Sequence, residues 1–200
     1  MKIDLHMHTT CSDGELTPKE ILHMASQNGV SIMSITDHDD ITAFQEAKSE
    51  ANKMNITLIP GIELNTNGPN GELHILGFAF HPDHPKLLQY ISWRKQERVR
   101  WSKQIVLKLQ ELGYEVEWEN CFKRAAGGVI VRTHIADELV AHGYFISSKK
   151  AFNTLLVKGQ AAFVERSPFS SLDAIRLIHQ CGGKAFIAHP GIYPFKGHLT

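Results

Sequence analysis

The 200-residue sequence has few cysteines, no long apolar run and no excess of charge of one sign. Its three cysteines, Cys11, Cys121 and Cys181, fit neither a zinc spacing nor a disulfide framework, which suits a reducing compartment. No stretch is long enough for a transmembrane helix, and the first residues resemble a strand rather than a signal peptide. Lys and Arg (21) balance Asp and Glu (21), so any polyanion must be bound locally. We therefore expect a cytoplasmic protein with no membrane partner and no stable protein partner.

Histidine, by contrast, is abundant, with 12 residues, while a hydrophobic content of 42% is ordinary for a globular protein with one core. Two of the histidines, His6 and His8, lie in the segment "IDLHMHTTCSDG" directly after the start of the chain. A single histidine is usually a hydrogen-bonded neighbour of the core. A pair at positions i and i+2 of a strand projects from one face and indicates a metal-binding pair.

The amino-terminal part alternates between strand and helix patterns. Strands are predicted at 2–7, 30–36, 56–64 and 72–80, and helices at 19–28 and 41–54. The first helix follows Thr17-Pro18, an N-cap residue with proline at the first helical position, and Gly29 ends it. Alternation at this spacing favours parallel βα units, which carry their sites at the carboxyl ends of the strands.

The pattern becomes helical after residue 84 and returns to strands after residue 158. We predict three parts: an α/β barrel segment at 1–84, a helical insertion at 85–158 and a continuation of the barrel at 159–200. The last part contains predicted strands at 160–166 and 184–190 and a helix at about 171–181. The basic segment 94–108 is read as a solvated helix face in preference to a nucleic-acid site.

Several imidazoles and carboxylates follow the predicted strands. If these strands are parallel neighbours, one barrel mouth gathers His6, His8, Asp13, His38, Glu63 and His74. This mixture of nitrogen and oxygen donors favours zinc, manganese or iron over calcium or magnesium, and its size indicates two or three divalent ions. Glu63 is the candidate bridging ligand. His74 could instead be a core histidine with no role in metal binding. The spacing of His6 and His8 in the first strand could instead be a structural coincidence.

Six segments resemble motifs of the polymerase and histidinol phosphatase (PHP) family of metal-dependent phosphoesterases. They are "DLHMHTTCSDG", "ITDHDD", "PGIEL", "HILGF", "RTHIADELV" and "AHPG", in family order and over nearly the whole chain. The sequence is most similar to the branch with the nucleoside 3',5'-bisphosphate phosphatase and the 5' to 3' exoribonuclease RNase AM. The resemblance implies a distorted (β/α)7 barrel with up to three ions.

Carried over position by position, the resemblance also implies roles for individual residues. The first ion would be held by His6, His8 and Glu63, the second by Glu63, His74 and His134, and the third by Asp13 and His38. Phosphate would be bound by Arg132, Lys158 and His189. His189 is also the candidate catalytic residue, because it could protonate the leaving oxygen.

The carboxyl-terminal part departs from the family pattern. Family members of this kind finish with an Asp-x-His motif, but no Asp or Glu follows Asp173 in this sequence. We therefore expect a barrel that lacks its last part, and a 200-residue form that binds fewer ions, or binds them more weakly, than longer relatives. The leading prediction is hydrolysis of phosphate esters of nucleotides or RNA 5' ends by a metal-activated water. The alternatives are a histidinol-phosphatase type of enzyme and a non-catalytic metal-binding module.

Overall fold

The computed structural model describes residues 1–68, 71–125 and 130–192, and the chain forms two compact units. The first, called the sheet unit, comprises Met1–Ser92 and Pro168–Thr200. The second, called the helical unit, comprises Trp93–Ser167. The sequence-based division lies eight or nine residues earlier at each boundary.

The described part of the sheet unit contains a curled, five-stranded mixed sheet, a half-barrel, in the order β1-β2-β3-β4-β5. The strands are β1 (Lys2–Met7), β2 (Val30–Ile35), β3 (Thr57–Gly68), β4 (Gly71–Phe78) and β5 (Lys184–Ile187). β1, β2 and β3 are parallel, whereas β4 is antiparallel to both β3 and β5. The predicted α/β class is confirmed.

The expectation that β4 is parallel to its neighbours is wrong. Gly68 pairs with Gly71, so only two residues separate the paired ends of β3 and β4. A parallel crossover needs about a dozen residues, and so short a connection permits only antiparallel pairing.

Among the described residues, three α-helices lie wholly within the sheet unit: α1 (Pro18–Gln27), α2 (Thr42–Lys53) and α7 (Ser171–Gln180). The predicted start of α1 is confirmed, because Thr17 Oγ1 accepts a hydrogen bond from Glu20 N and the Glu20 carboxylate accepts one from Thr17 N. α1 and α2 pack on β2 through buried Leu22, Met33 and Ala47. This packing covers one side of the parallel strands and leaves their carboxyl ends available for a site.

The helical unit holds most of α3 (Pro85–Glu111), together with α4 (Trp118–Arg124), α5 (Arg132–Ala141) and α6 (Ser148–Ala151), which continues as a π-helix over Phe152–Leu156. Its core includes Trp101, Leu109, Ile135 and Leu139. None of the helices that the structure describes combines the length and the apolarity needed to cross a bilayer.

The strand predicted at 160–166 is not formed. Trp101 Nε1 donates to the carbonyl oxygen of Val164 at 2.9 Å, and Lys108 Nζ donates to that of Phe163 at 2.8 Å. Side chains of α3 therefore bond carbonyl groups that a neighbouring strand would have to bond. The alternating sequence predicted a strand, but tertiary hydrogen bonds replaced the ladder.

Candidate metal centre

Glu63, on β3, is the centre of a cluster of imidazoles in the sheet unit. Its side chain is only 1% exposed. Its Oε2 atom lies 3.0 Å from Nε2 of His6, 3.0 Å from Nε2 of His8 and 3.7 Å from Nδ1 of His38. Its Oε1 atom lies 2.9 Å from Nδ1 of His74 and 3.0 Å from Nε2 of His189. One buried carboxylate thus joins five histidines from four segments of the chain.

Strand geometry explains how β1 and β2 deliver their histidines. His6 lies on β1 and His8 just beyond its end, two positions apart on one face, and their Nε2 atoms are 3.2 Å apart. His38 follows β2 and forms an isolated parallel bridge with Glu63. In that bridge Glu63 N donates to the carbonyl of Asp37, and Asp39 N donates to the carbonyl of Glu63.

The antiparallel pairing of β3 and β4 delivers His74. Asn65 is paired directly with His74, and Glu63, two residues earlier on β3, lies on the same face. β4 is thus part of the site although its direction is opposite to the one predicted. The β3-β4 register itself brings the carboxylate and the imidazole into contact.

His189 follows β5 and has a left-handed backbone conformation, with φ of 31°. This region is sparsely populated by residues other than glycine, and such strain costs on the order of 1–3 kcal/mol. Its ring lies against those of His6 and His74, with centroid separations of 5.9 and 5.2 Å. The strained backbone therefore accompanies a side chain directed at Glu63.

The loop after β1 holds Asp13 near His8 and His38. Asp13 Oδ1 is 3.3 Å from His8 Nδ1, and Asp13 Oδ2 is 3.6 Å from His38 Nε2. A Cβ atom on Gly14 would lie 2.3 Å from the carbonyl oxygen of His8, so only glycine fits the closure of this loop. The "SDG" segment therefore returns toward the strand end, as the sequence predicted.

Burial and mutual contacts change the pKa values of the cluster. Burial alone would raise the pKa of Glu63, but hydrogen bonds from His74 and His8 hold it well below its ordinary range. Burial alone would lower the pKa of His8 and of His74, but carboxylate partners raise each pKa to about 9. Burial lowers the pKa of His38 to about 4, and the hydrogen bond with His8 lowers that of Asp13 to about 2.

The donors fit divalent metal ions. Three groups each bring their ligand atoms within 4.8 Å of one another: His6, His8 and Glu63; His8, Asp13 and His38; and His38, Glu63 and His74. In the first group the separations are 3.0–3.2 Å, which matches donors around one ion with bonds of about 2.0–2.2 Å. Mixed imidazole and carboxylate donors suit zinc, manganese or iron.

The other acidic residues of "ITDHDD" support the loops. Asp37 accepts hydrogen bonds from the N and Oγ1 atoms of Thr9, both at 2.7 Å. Asp39 accepts from Asn65 N at 3.1 Å and from the hydroxyl of Tyr90 at 2.6 Å. The sequence located these acids at the end of β2. No sequence pattern identified the hydroxyl and amide groups that donate hydrogen bonds to them.

Three predicted site residues belong to the helical unit. In α5, Nδ1 of His134 accepts a hydrogen bond from Val131 N, and Arg132 donates to the carbonyl of Leu156. Lys158 is exposed. Their assigned roles in metal and phosphate binding stay predictions that rest on the family resemblance.

Comparisons with known proteins agree on one family. The chain matches the PHP domain family over residues 4–161. It is 37% identical over 196 residues to a 5'-3' exoribonuclease of Haemophilus influenzae, covering 98% of this chain and 71% of that protein. It is 31% identical over 196 residues to a 3',5'-nucleoside bisphosphate phosphatase of Chromobacterium violaceum, covering 96% of this chain and 67% of that protein.

Two solved structures share the fold. One is an amidohydrolase from Chromobacterium violaceum with bound sulfate and no metal, which has a TM-score of 0.84 at 30% identity. The matched region covers 98% of this chain and 69% of the amidohydrolase chain. A protein assigned as a metal-dependent phosphoesterase, from Bifidobacterium adolescentis, has a TM-score of 0.83 at 26% identity and covers 94% and 67%. The chain thus spans about two thirds of the length of these proteins.

Proposed function

The chain belongs to the PHP domain family, and from this premise we propose that it is a metal-dependent phosphoesterase acting on nucleotides or RNA 5' ends. The observation that carries the proposal is the buried Glu63 carboxylate, whose ion pairs among the described residues are all with histidines. In the metal-free protein, His8 and His74 balance this carboxylate as imidazolium groups, because its contacts raise each pKa to about 9. Divalent cations between these donors would displace those protons and supply the positive charge in their place.

We assign the donors to three positions around Glu63. Glu63, His6 and His8 would hold one ion, and Glu63, His74 and His189 would hold a second. Asp13 and His38 would hold a third. Manganese, zinc or iron suits this donor set. When bound, such ions supply Lewis-acid stabilisation of the phosphate charge and make water a competent nucleophile near neutral pH.

The chain's own groups prepare the site for this chemistry. The low pKa of His38 keeps its ring neutral near pH 7, with a lone pair to donate, whereas His8 and His74 must release protons before they can bind a cation. Burial raises the pKa of Cys11, so this nearby thiol stays protonated and is a poor nucleophile. Water is therefore the nucleophile that we propose.

The remaining assignments rest on the resemblance. Arg132 and Lys158 are proposed to bind substrate phosphate, and His134 remains a second candidate ligand beside His189. His189 could instead protonate the leaving oxygen. Its contact with Glu63 Oε1, at the same distance as the contacts of His6 and His8 with Oε2, favours the ligand role.

The test compares phosphate release from three substrates by the protein loaded with Mn²⁺ or Zn²⁺. We expect turnover of a nucleoside 3',5'-bisphosphate and a short 5'-phosphorylated RNA to exceed that of histidinol phosphate. Substitutions His8→Ala and Asp13→Ala should remove bound metal and turnover together. Preference for histidinol phosphate would instead support the small-metabolite phosphatase, and metal binding without hydrolysis of any substrate would support the accessory module.

We also propose a cytoplasmic location. Cys11, Cys121 and Cys181 are all free thiols, as is usual for proteins in a reducing compartment. Recovery of the native protein from the periplasmic or extracellular fraction of its source cells would contradict this proposal.

A further inference from the structure

The two ring nitrogens of His8 face different surroundings. Nε2 faces Glu63 and His6, at 3.0 and 3.2 Å. Nδ1 faces the loop after β1, with Ser12 Oγ at 3.4 Å and Asp13 Oδ1 at 3.3 Å. A neutral imidazole carries one hydrogen, so the groups around Nδ1 decide which nitrogen presents its lone pair to the site.

The hydroxyl of Ser12 has a defined direction. Ser12 Oγ lies 2.5 Å from Asp37 Oδ1 and 3.3 Å from Asp13 Oδ1. An ionised carboxylate can only accept, so the hydroxyl hydrogen is donated at the shorter distance, to Asp37. The Ser12 oxygen can then act only as a hydrogen-bond acceptor toward its other neighbours. The Ser12 oxygen and the Asp13 carboxylate that face His8 Nδ1 therefore both favour a hydrogen on that nitrogen.

Asp37 is itself held in place. Its side chain is buried, at 1% exposure, and it accepts from Thr9 N and Thr9 Oγ1 as well as from Ser12. These three donors all belong to the loop that follows His8. The acceptor at the end of the hydrogen-bond chain thus cannot turn away without breaking the loop.

We propose that Ser12 and Asp37 form a positioning relay that keeps the hydrogen of His8 on Nδ1 and so presents Nε2 as the metal-binding atom. Neither residue contacts substrate or metal in this proposal, which rests on the proposed metal-dependent function. His6 has no such relay among the described residues, because its side-chain hydrogen bonds there all involve Nε2. The relay therefore makes His8 the pre-oriented member of the pair.

The experiment compares Ser12→Ala with Ser34→Ala. Ser34 is a matched control, because it is also buried in the sheet unit and its hydroxyl donates one hydrogen bond, to the carbonyl of Ile59 at 3.0 Å, without contacting a histidine. Zn²⁺ affinity is measured by competition with a chelator. The His8 Nδ1 hydrogen is followed by proton–nitrogen NMR of the Zn²⁺-loaded proteins, and folding by circular dichroism.

We expect Ser12→Ala to lower Zn²⁺ affinity by about 10- to 100-fold, the range for a lost second contact to a ligand histidine. The His8 Nδ1 hydrogen should exchange faster with water, whereas Ser34→Ala should retain both the affinity and the signal. Equal effects in the two variants, unchanged behaviour of Ser12→Ala or its failure to fold would each overturn the relay. A wild-type protein that binds no Zn²⁺ would overturn the metal centre itself, a result distinct from any failure confined to Ser12→Ala.

Discussion

Two of the buried glutamates have opposite surroundings, Glu63 in the sheet unit and Glu138 in the helical unit. Glu138 accepts a hydrogen bond from Arg124 Nε at 2.6 Å and contacts His142 at 3.1 Å. Its side chain is 3% exposed, and that of Glu63 is 1% exposed. Arginine is always protonated, so Glu138 is balanced within the protein, whereas Glu63 is balanced only if histidines carry protons or cations bind.

The two units also differ in net charge. The helical unit has thirteen Lys and Arg against eight Asp and Glu, and the sheet unit has eight against thirteen, so the formal charges are +5 and −5. The balanced total thus hides two regions of opposite sign. The anionic donors of the proposed metal site lie in the sheet unit, and the excess of Lys and Arg lies in the helical unit.

The largest effect should come from exchanging each glutamate for its neutral isostere. Glu63→Gln removes the carboxylate shared by the proposed ions, so metal content should fall and turnover should drop by at least about 1,000-fold, several kcal/mol of transition-state stabilisation. Glu138→Gln should lower the free energy of unfolding by about 1–3 kcal/mol through its weakened bond to Arg124. Metal analysis, phosphate release and urea unfolding provide the three measurements.

Each variant is the control for the other. Metal content should survive in Glu138→Gln, because no residue of that cluster is proposed as a ligand. We propose that Glu63 binds metal and that Glu138 only stabilises the fold. Normal metal content in Glu63→Gln, or equal metal loss in both variants, would contradict this difference.

The second effect concerns two histidines, one in each unit. His189→Ala should lower metal content and reduce turnover by about 100-fold or more, since a ligand supplies several kcal/mol. His134→Ala should have the smaller effect on metal content if Glu63, His74 and His189 form the second site. Metal stoichiometry of purified variants measures this difference. Full metal content with lost turnover in His189→Ala would assign that residue to proton transfer instead.

The third effect is a pH dependence that belongs to the sheet unit. With pKa values raised to about 9, His8 and His74 hold their protons in the metal-free protein. Their contribution to its stability is complete below about pH 6.5 and is lost as pH rises through about 9. Cations compete for these nitrogens, so metal affinity should rise by about tenfold per pH unit for each displaced proton. Chelator competition from pH 6.5 to 9 measures this change in metal affinity. An affinity that does not change with pH would contradict the prediction.

The smallest effect should be electrostatic attraction of RNA by the helical unit. Binding of a short 5'-phosphorylated RNA should weaken by about sevenfold between 50 and 200 mM salt if two phosphates are contacted. The double substitution of Lys149 and Lys150 by Gln should reduce this salt dependence, and the same change at Lys19 and Lys53 of the sheet unit should not. Equal slopes in the two double variants would show that the charge difference between the units does not guide RNA binding.

Much of the site could be predicted because its parts are local. Residues two positions apart in a strand project from the same face, so His6 and His8 do so too. Asp13 follows in a tight turn that Gly14 permits. His38 follows β2, and Glu63 lies within β3 just beyond the part that pairs with β2. The βα pattern indicated the parallel pairing of these two strands. Convergence of these groups is confirmed by their contacts around Glu63, whereas the division of ligands among ions stays a prediction.

Non-local contacts account for the features that could not be predicted. The segment 160–166 alternates like a strand, yet its carbonyl groups bond side chains of α3 more than fifty residues earlier. The ring of His189 reaches Glu63 across 126 positions of sequence. Hydrophobic and polar periodicity reports only which side of an element is buried, so it has no information about such partners.

The sequence by itself determined which chemical groups are present and which ends of the strands carry them, because side-chain direction along a strand follows from backbone geometry alone. Only the tertiary structure decided that Asp37 supports the loop after β1, and that Glu63 meets five imidazoles while Glu138 meets an arginine. Those outcomes depend on distances between residues remote in the chain, and the balance of a buried charge is set by the partners that folding brings within about 3 Å.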